Sequence, residues 1–236
     1  MVQKGFMFRL INKYLFLPII DFFIPNKCIN CSKSLTENNY YLCDTCFDTL
    51  KLHKNIHSES FSLFHYKDNL KFLVMKLKYD DNPKVGIILG EKLGEKLKKF
   101  DLLDFNIPNK YFLIPVPLHK KRKKVRKYNQ ALYIAKGLEN ILKIPIIDDL
   151  IIRTEDNISQ TELSNDIERK KNVKNIFKII QKDKNLKEKI PIIIDDIITT
   201  GATTKELIKI LSKNGYKNSF AISVAAPEGI IFSDDE

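Results

Sequence analysis

From about residue 60 onward, short β-branched or aromatic runs alternate with stretches in which apolar residues recur every three or four positions. Residues 61–66 suit a strand. Leu70, Leu73, Val74 and Leu77 then share one helical face, which ends at Lys78-Tyr79 before the breaker Asp80-Asp81-Asn82-Pro83. A second helix is predicted over 83–99, with Val85, Ile88, Leu89, Leu93 and Leu97 inward. On it, Gly86, Gly90 and Gly94 form a stripe at spacing four whose simplest use is close backbone packing, because the charges of this helix exclude a membrane span. Residues 111–117 are the next strand candidate, and a helix starts at Asn129 with Ala131, Ile134, Ala135, Leu138 and Ile141 on its buried face. Residues 145–152 read as another buried strand, ending at Arg153. Residues 177–180 lead back to the run Ile190 to Ile194, short and β-branched enough for a strand buried on both faces of a parallel sheet. A helix opening near Thr203 has its C-cap at Asn214-Gly215, and residues 216–226 supply a last core strand. The alternation predicts an α/β fold, one doubly wound domain with helices on both faces of a parallel sheet, over residues 59–236.

The pattern breaks most sharply after the Ile190 to Ile194 run, at Asp195, Asp196, Ile197, Ile198, Thr199, Thr200, Gly201, Ala202 and Thr203. Ionised Asp195 and Asp196 only accept hydrogen bonds, so they suit vicinal ribose hydroxyls or a magnesium shell. Thr199 to Thr203 are small residues whose amides can surround an anion. Thr203 and Glu206 have capping-box spacing, and the positive end of a helix opening there favours a phosphate. The plainer alternative is a strand and a helix joined by a hydrophilic turn.

A second polar cluster follows the strand over 111–117: Leu118, His119, Lys120, Lys121, Arg122, Lys123, Lys124, Val125, Arg126 and Lys127. Seven of the eight residues from Lys120 to Lys127 are basic. Strand, basic loop and helix place cations at the carboxyl edge of a sheet, where open α/β folds bind ligands. The run reads as a diphosphate or nucleic-acid backbone clamp, and otherwise as a solvated basic loop. Residues 154–175, with Gln160, Leu163, Arg169 and Asn172, have little apolar period, as expected of a mobile excursion over a site.

Charge adds little by itself. The formal +11 comes from 35 Lys and only 5 Arg among 236 residues, so lysine spread over solvated surface competes evenly with a true polyanion surface. The arginines say more, because Arg122, Arg126, Arg153 and Arg169 fall in segments flanking the expected phosphate site, where a planar fork is not replaceable by lysine.

Residues 1–58 follow another logic. Cys28 and Cys31, then Cys43 and Cys46, make two CxxC knuckles separated by eleven residues, enough to bring four thiolates into a tetrahedron. Zinc is the expected ion, structural because four protein ligands leave no open position for water. Redox-active CxxC pairs are the rival reading. Clustered cysteines of this kind point to a metal site in a reducing, cytoplasmic setting rather than a disulfide framework. His53 and His57 come too late to be needed. Residues 6–24 are apolar but interrupted by Arg9, Lys13, Pro18 and Asp21, which argues for an amphipathic lead-in and against a transmembrane segment, with a membrane-surface role as the alternative.

The acidic pair followed by Thr-Thr-Gly-Ala-Thr resembles the PRPP-binding signature of type I phosphoribosyltransferases. Nearly the whole chain resembles the ComF family of competence-associated, phosphoribosyltransferase-like proteins. The resemblance rests on the four-cysteine finger, on Pro115-Val116-Pro117, and on Arg126, Tyr128, Asn129 and Gln130, with Lys127 where the family has glycine. Arg153, Gln160, Arg169 and Asn172 continue it, and the PRPP loop completes it. It implies a type I phosphoribosyltransferase-like sheet in which Thr199, Thr200, Gly201, Ala202 and Thr203 hold the 5-phosphate and Asp195 and Asp196 the ribose. The segment containing His119, Lys120, Lys121, Arg122, Arg126, Asn129 and Gln130 would take the diphosphate, with magnesium, or nucleic acid. Arg153, Gln160 and Arg169 belong to the loop that closes over PRPP. The implied function is handling of incoming single-stranded DNA in natural transformation, with other competence proteins as partners. A metabolic phosphoribosyltransferase acting on a base or amine, and a non-catalytic PRPP-responsive module, are the alternatives.

Overall fold

Ile192, Ile193 and Ile194 are wholly buried, as residues covered on both faces of a sheet must be. The computed structural model describes residues 27–35, 41–52, 60–79, 82–107, 109–118, 126–154, 176–180 and 185–228. They fall into two units, one ending at Thr49 and the other starting at Leu50. The lead-in over 6–24, His53 and His57 lie outside the described residues.

In the second unit, β1 (Ser60–His65), β2 (Tyr111–Pro115), β5 (Ile190–Ile197) and β6 (Phe220–Ala226) form a parallel sheet in the order β1-β6-β5-β2. Ile114 stands opposite Ile193, and Ile194 opposite Ile222. At the β1–β6 seam the buried Ser62 and Ser223 hydroxyls meet at 2.6 Å, so each satisfies the other. Helices α2 (Asp68–Tyr79), α3 (Lys84–Lys99), α4 (Gln130–Leu142) and α5 (Ala202–Lys213) surround the sheet.

The two faces are filled differently. Phe112, Ile114, Ile193 and Ala221 turn to one face, where Leu207 and Leu211 of α5 join Ile151, Phe177 and Tyr216 in one apolar cluster. The other face lies against α4, which packs in turn on α3. That helix pair is as close as backbones allow. A methyl group added at Gly90 would sit 2.0 Å from the Ile134 carbonyl oxygen, and one at Gly137 would sit 2.0 Å from that of Ile87. The glycine stripe thus has the packing role its spacing predicts, completed by a glycine from the facing helix.

Two expectations fail. Residues 145–152 do not form one strand. Ile146 makes a single parallel bridge to Leu113, and the separate strand β3 (Ile151–Arg153) pairs antiparallel with β4 (Phe177–Ile179). Pro145 has no N–H for a ladder, and the exposed pair Asp148-Asp149 carries the chain away from the sheet. The helix after the acidic strand opens two residues early: Gly201, at φ 70°, is its N-cap, and Thr203 already lies inside the first turn. Glycine adopts that left-handed conformation without the steric cost a threonine would carry, so the capping-box spacing is not used as a cap.

Candidate functional site at the carboxyl edge of the sheet

The helix after β2 and the helix after β5 pack on opposite faces, so the winding reverses at the carboxyl ends of these neighbouring strands. Open α/β sheets bind ligands at such a reversal. Asp195 and Asp196 sit at the end of β5, partly buried. The Asp196 N–H donates to Asp195 Oδ1 at 2.8 Å, and the Ile197 N–H donates to Asp196 Oδ1 at 2.8 Å. Past them, the chain turns through Thr199, Thr200 and the buried Gly201 into α5, whose N-terminus has no side-chain cap from Gly201. Thr200 Oγ1 accepts only a long 3.4 Å bond from the Ala202 N–H. The first turn, with Ala202 and Thr203, therefore keeps amide donors for an anion.

On the neighbouring strand, Val116 continues the β2–β5 ladder by donating its N–H to the Ile194 carbonyl at 2.9 Å. Asn129 ties that strand end to α4: its Nδ2 donates to Val116 O at 3.0 Å while its Oδ1 accepts from the Ala131 N–H, the N-cap bond the sequence predicts. Arg126 donates to Gln130 Oε1 at 3.5 Å, and the Gln130 Nε2, almost fully buried, has no protein partner. Such a buried donor calls for an acceptor that the protein itself does not supply.

Lys78, at the end of α2, is the member that pattern reading missed. Its Nζ lies 2.9 Å from Asp196 Oδ2, with the two side chains only 19% and 14% exposed. A signal existed, since Leu70, Val74 and Lys78 lie at spacing four on one buried row. Burial would lower the Lys78 pKa, but the charges of Asp196 and then Asp195 outweigh it and raise it. Desolvation, followed by the charge of Asp196, holds Asp195 well above the ordinary carboxylate range.

The remaining predicted residues are scattered or undescribed. Arg153 lies on β3 with its guanidinium over the Phe177 ring, 5.7 Å from the centroid. His119, Lys120, Lys121, Arg122, Gln160 and Arg169 lie outside the described residues.

In the first unit, the Cys28 carbonyl accepts from the Ser32 N–H, and the Ile29 N–H donates to Tyr41 O, which draws the two knuckles together; α1 (Asp44–Asp48) carries Cys46. The four Sγ atoms lie within 4.8 Å of one another, Cys31 and Cys43 at 3.8 Å. Zn–S bonds of about 2.3 Å in a tetrahedron separate sulfurs by roughly 3.8 Å, so the donor set fits a zinc ion. Burial raises the Cys28 thiol pKa, but backbone N–H groups of Cys43, Cys31 and Asn30 reverse this and bring it down to about 6. Cys46 accepts from Asn30 at 3.4 Å, yet burial and the neighbouring sulfurs push it up to about 12. A cation among the four would relieve that crowding of sulfurs. No helix among the described residues is long and apolar enough to cross a membrane.

No family model matches the chain. Competence protein F of Haemophilus influenzae is 26% identical over 198 residues, covering 80% of this chain and 85% of that protein. The DNA utilization protein YhgH of Escherichia coli K12 is 23% identical over 217 residues, covering 81% and 93%. Among solved structures, the AQ2163 protein of Aquifex aeolicus is similar at 18% identity and a TM-score of 0.36, over 71% of this chain and 86% of that one. The similarity to these curated relatives, together with the four-cysteine cluster and the parallel sheet, agrees with the resemblance to the ComF family.

Proposed function

We propose that the chain is a PRPP-binding, phosphoribosyltransferase-like protein of the ComF type that handles incoming single-stranded DNA in natural transformation. The observation that supports this reading is the reversal of winding between β2 and β5, with an acidic pair and a helix N-terminus following β5 and with Arg126, Asn129 and Gln130 following β2. In this reading the first turn of α5 takes the 5-phosphate, Asp195 and Asp196 take the ribose hydroxyls, and the segment over 119–130 takes the diphosphate. Magnesium arrives on the diphosphate, and zinc in the four-cysteine cluster is structural. The printed names of the relatives, competence protein and DNA utilization protein, support the DNA side.

If transfer occurs, a nucleophile displaces diphosphate from the anomeric carbon, and cations facing the departing group stabilise the charge it acquires. Residues 153–172, with Arg153, Gln160 and Arg169, would close over the site and exclude water.

Calorimetric titration with PRPP and magnesium, followed by diphosphate release from the same sample, tests the reading. Saturable binding is expected in the wild type and is lost in Asp195→Ala/Asp196→Ala with the fold retained; unchanged affinity in that variant would refute the ribose placement. Diphosphate release on adding a base or amine would instead mark a metabolic transferase. Single-stranded DNA should bind with an affinity that falls steeply with salt and shrinks when Lys120 to Lys127 are neutralised. Absence of binding at low salt would sink the DNA part.

A further inference from the structure

An ammonium group already sits on Asp196, one carboxylate of the acidic pair. Asp196 Oδ1 is taken by the Ile197 N–H and Asp195 Oδ1 by the Asp196 N–H, and Lys78 Nζ sits on the remaining Asp196 oxygen at 2.9 Å. The lysine is held there from behind. The Tyr128 hydroxyl donates to the carbonyl of Leu77, the residue before it, so the last turn of α2 is fastened to the cationic segment over 126–130. Arg126 lies over the Tyr79 ring, 5.9 Å from the centroid, and adds a second positive charge beside Lys78. A dication approaching the carboxylates meets both.

We propose that Lys78 is a further binding residue of this site: a tethered cation that occupies Asp196 in the empty protein, shuts bare divalent ions out of the acidic pair, and moves to a ligand phosphate oxygen when sugar hydroxyls replace it on the carboxylate. The exchange conserves charge and hydrogen bonds. Hydroxyl donors take over Asp196, and the freed ammonium meets the anion they are attached to. Metal then enters only as part of the ligand. The ligand half of the inference rests on the phosphoribosyl reading, and the exclusion of metal rests on the ion pair alone.

The test titrates Mn²⁺ alone into the zinc-loaded full chain and follows bound metal by its electron paramagnetic resonance signal. Lys78→Met should bind Mn²⁺ about tenfold or more tighter than the wild type, an advantage lost when Asp196→Asn is added, while Lys78→Arg stays like the wild type. Equal Mn²⁺ affinity in wild type and Lys78→Met overturns the exclusion. Should Lys78→Met not fold, reductive methylation of the wild type read by mass spectrometry decides it. Lys78 should react about tenfold more slowly than the exposed Lys71 and speed up in Asp196→Asn, and equal rates in the wild type overturn the ion pair. In a separate titration, PRPP with magnesium should bind Lys78→Met about tenfold more weakly, and unchanged affinity overturns the binding role. A wild-type protein that takes no PRPP overturns the ligand half together with the proposed function, and the Mn²⁺ contrast still judges the metal half.

Discussion

Lys127 holds φ at 62°, a left-handed backbone that costs an L-residue with a Cβ about 1–2 kcal/mol. The ComF resemblance places glycine there, and the chain keeps the glycine-like turn without the glycine. Lys127→Gly should therefore be stabilising. Set against about 0.5–1 kcal/mol for glycine's extra freedom when unfolded, the net gain is roughly 0.5–1 kcal/mol. It should appear as a higher urea midpoint at unchanged slope, and a lower midpoint would show that the turn carries no strain. Asp195 gives a pH signature of its own. Its folded-state pKa is raised, chiefly by desolvation, so the unfolded chain loses this proton first and stability falls as pH climbs through the folded pKa. Asp195→Asn removes the penalty, so the variant should melt above the wild type at neutral and alkaline pH and match it in acid. Thermal melts across that range check the sign, and a variant that melts lower at alkaline pH would contradict it. A site that destabilises its own fold is what a binding carboxylate looks like before its ligand arrives.

Between elements, α3 and α4 decide a sign that propensity alone would get wrong. Replacing a helical glycine by alanine ordinarily stabilises a helix by about 1 kcal/mol. At Gly90 the new methyl would meet the Ile134 carbonyl, backbone that cannot step aside. Gly90→Ala should lower stability by about 2 kcal/mol as the helices are forced apart, and any gain would mean that the close approach is absent. This contact was legible in the sequence because a stripe at spacing four has few other uses on a charged helix. The buried face Leu70, Leu73, Val74 and Leu77 was legible for the same reason of period. What escaped were features set by partners far along the chain. Whether residues 145–152 form one strand or a bridge and a hairpin depends on which edge receives them, and nothing in their own pattern states it. The ion pair of Lys78 with Asp196 joins an unremarked helix end to a conspicuous strand end more than a hundred residues away, and only the folded chain brings them together.

For the molecule as two units, the four cysteines and the sheet depend on different forces. The first unit has little apolar material in its described part beyond Leu42 and Phe47, so bound metal should supply most of its folding energy. Strong chelation of zinc-loaded protein should release amide protection in peptides over 27–49 and leave those of β2, β5 and β6 protected in hydrogen exchange. Protection lost throughout would mean that one cooperative transition spans both. Cys28→Ser should reproduce the chelated pattern, and full zinc content in that variant would remove Cys28 from the ligand set.

The strand order has a consequence for how the chain is born. Among the described strands, β1 has β6 as its neighbour in the sheet, and Ser62 meets a hydroxyl 161 residues further on. On the ribosome, Phe61, Leu63 and Phe64 emerge long before the strand that will cover their seam. Until residue 226 clears the exit tunnel they remain open to water, to neighbouring nascent chains or to a holdase. Translation can be finished on every strand but β6 and the sheet still lack its first edge, so the order β1-β6-β5-β2 makes the docking of β1 a late step.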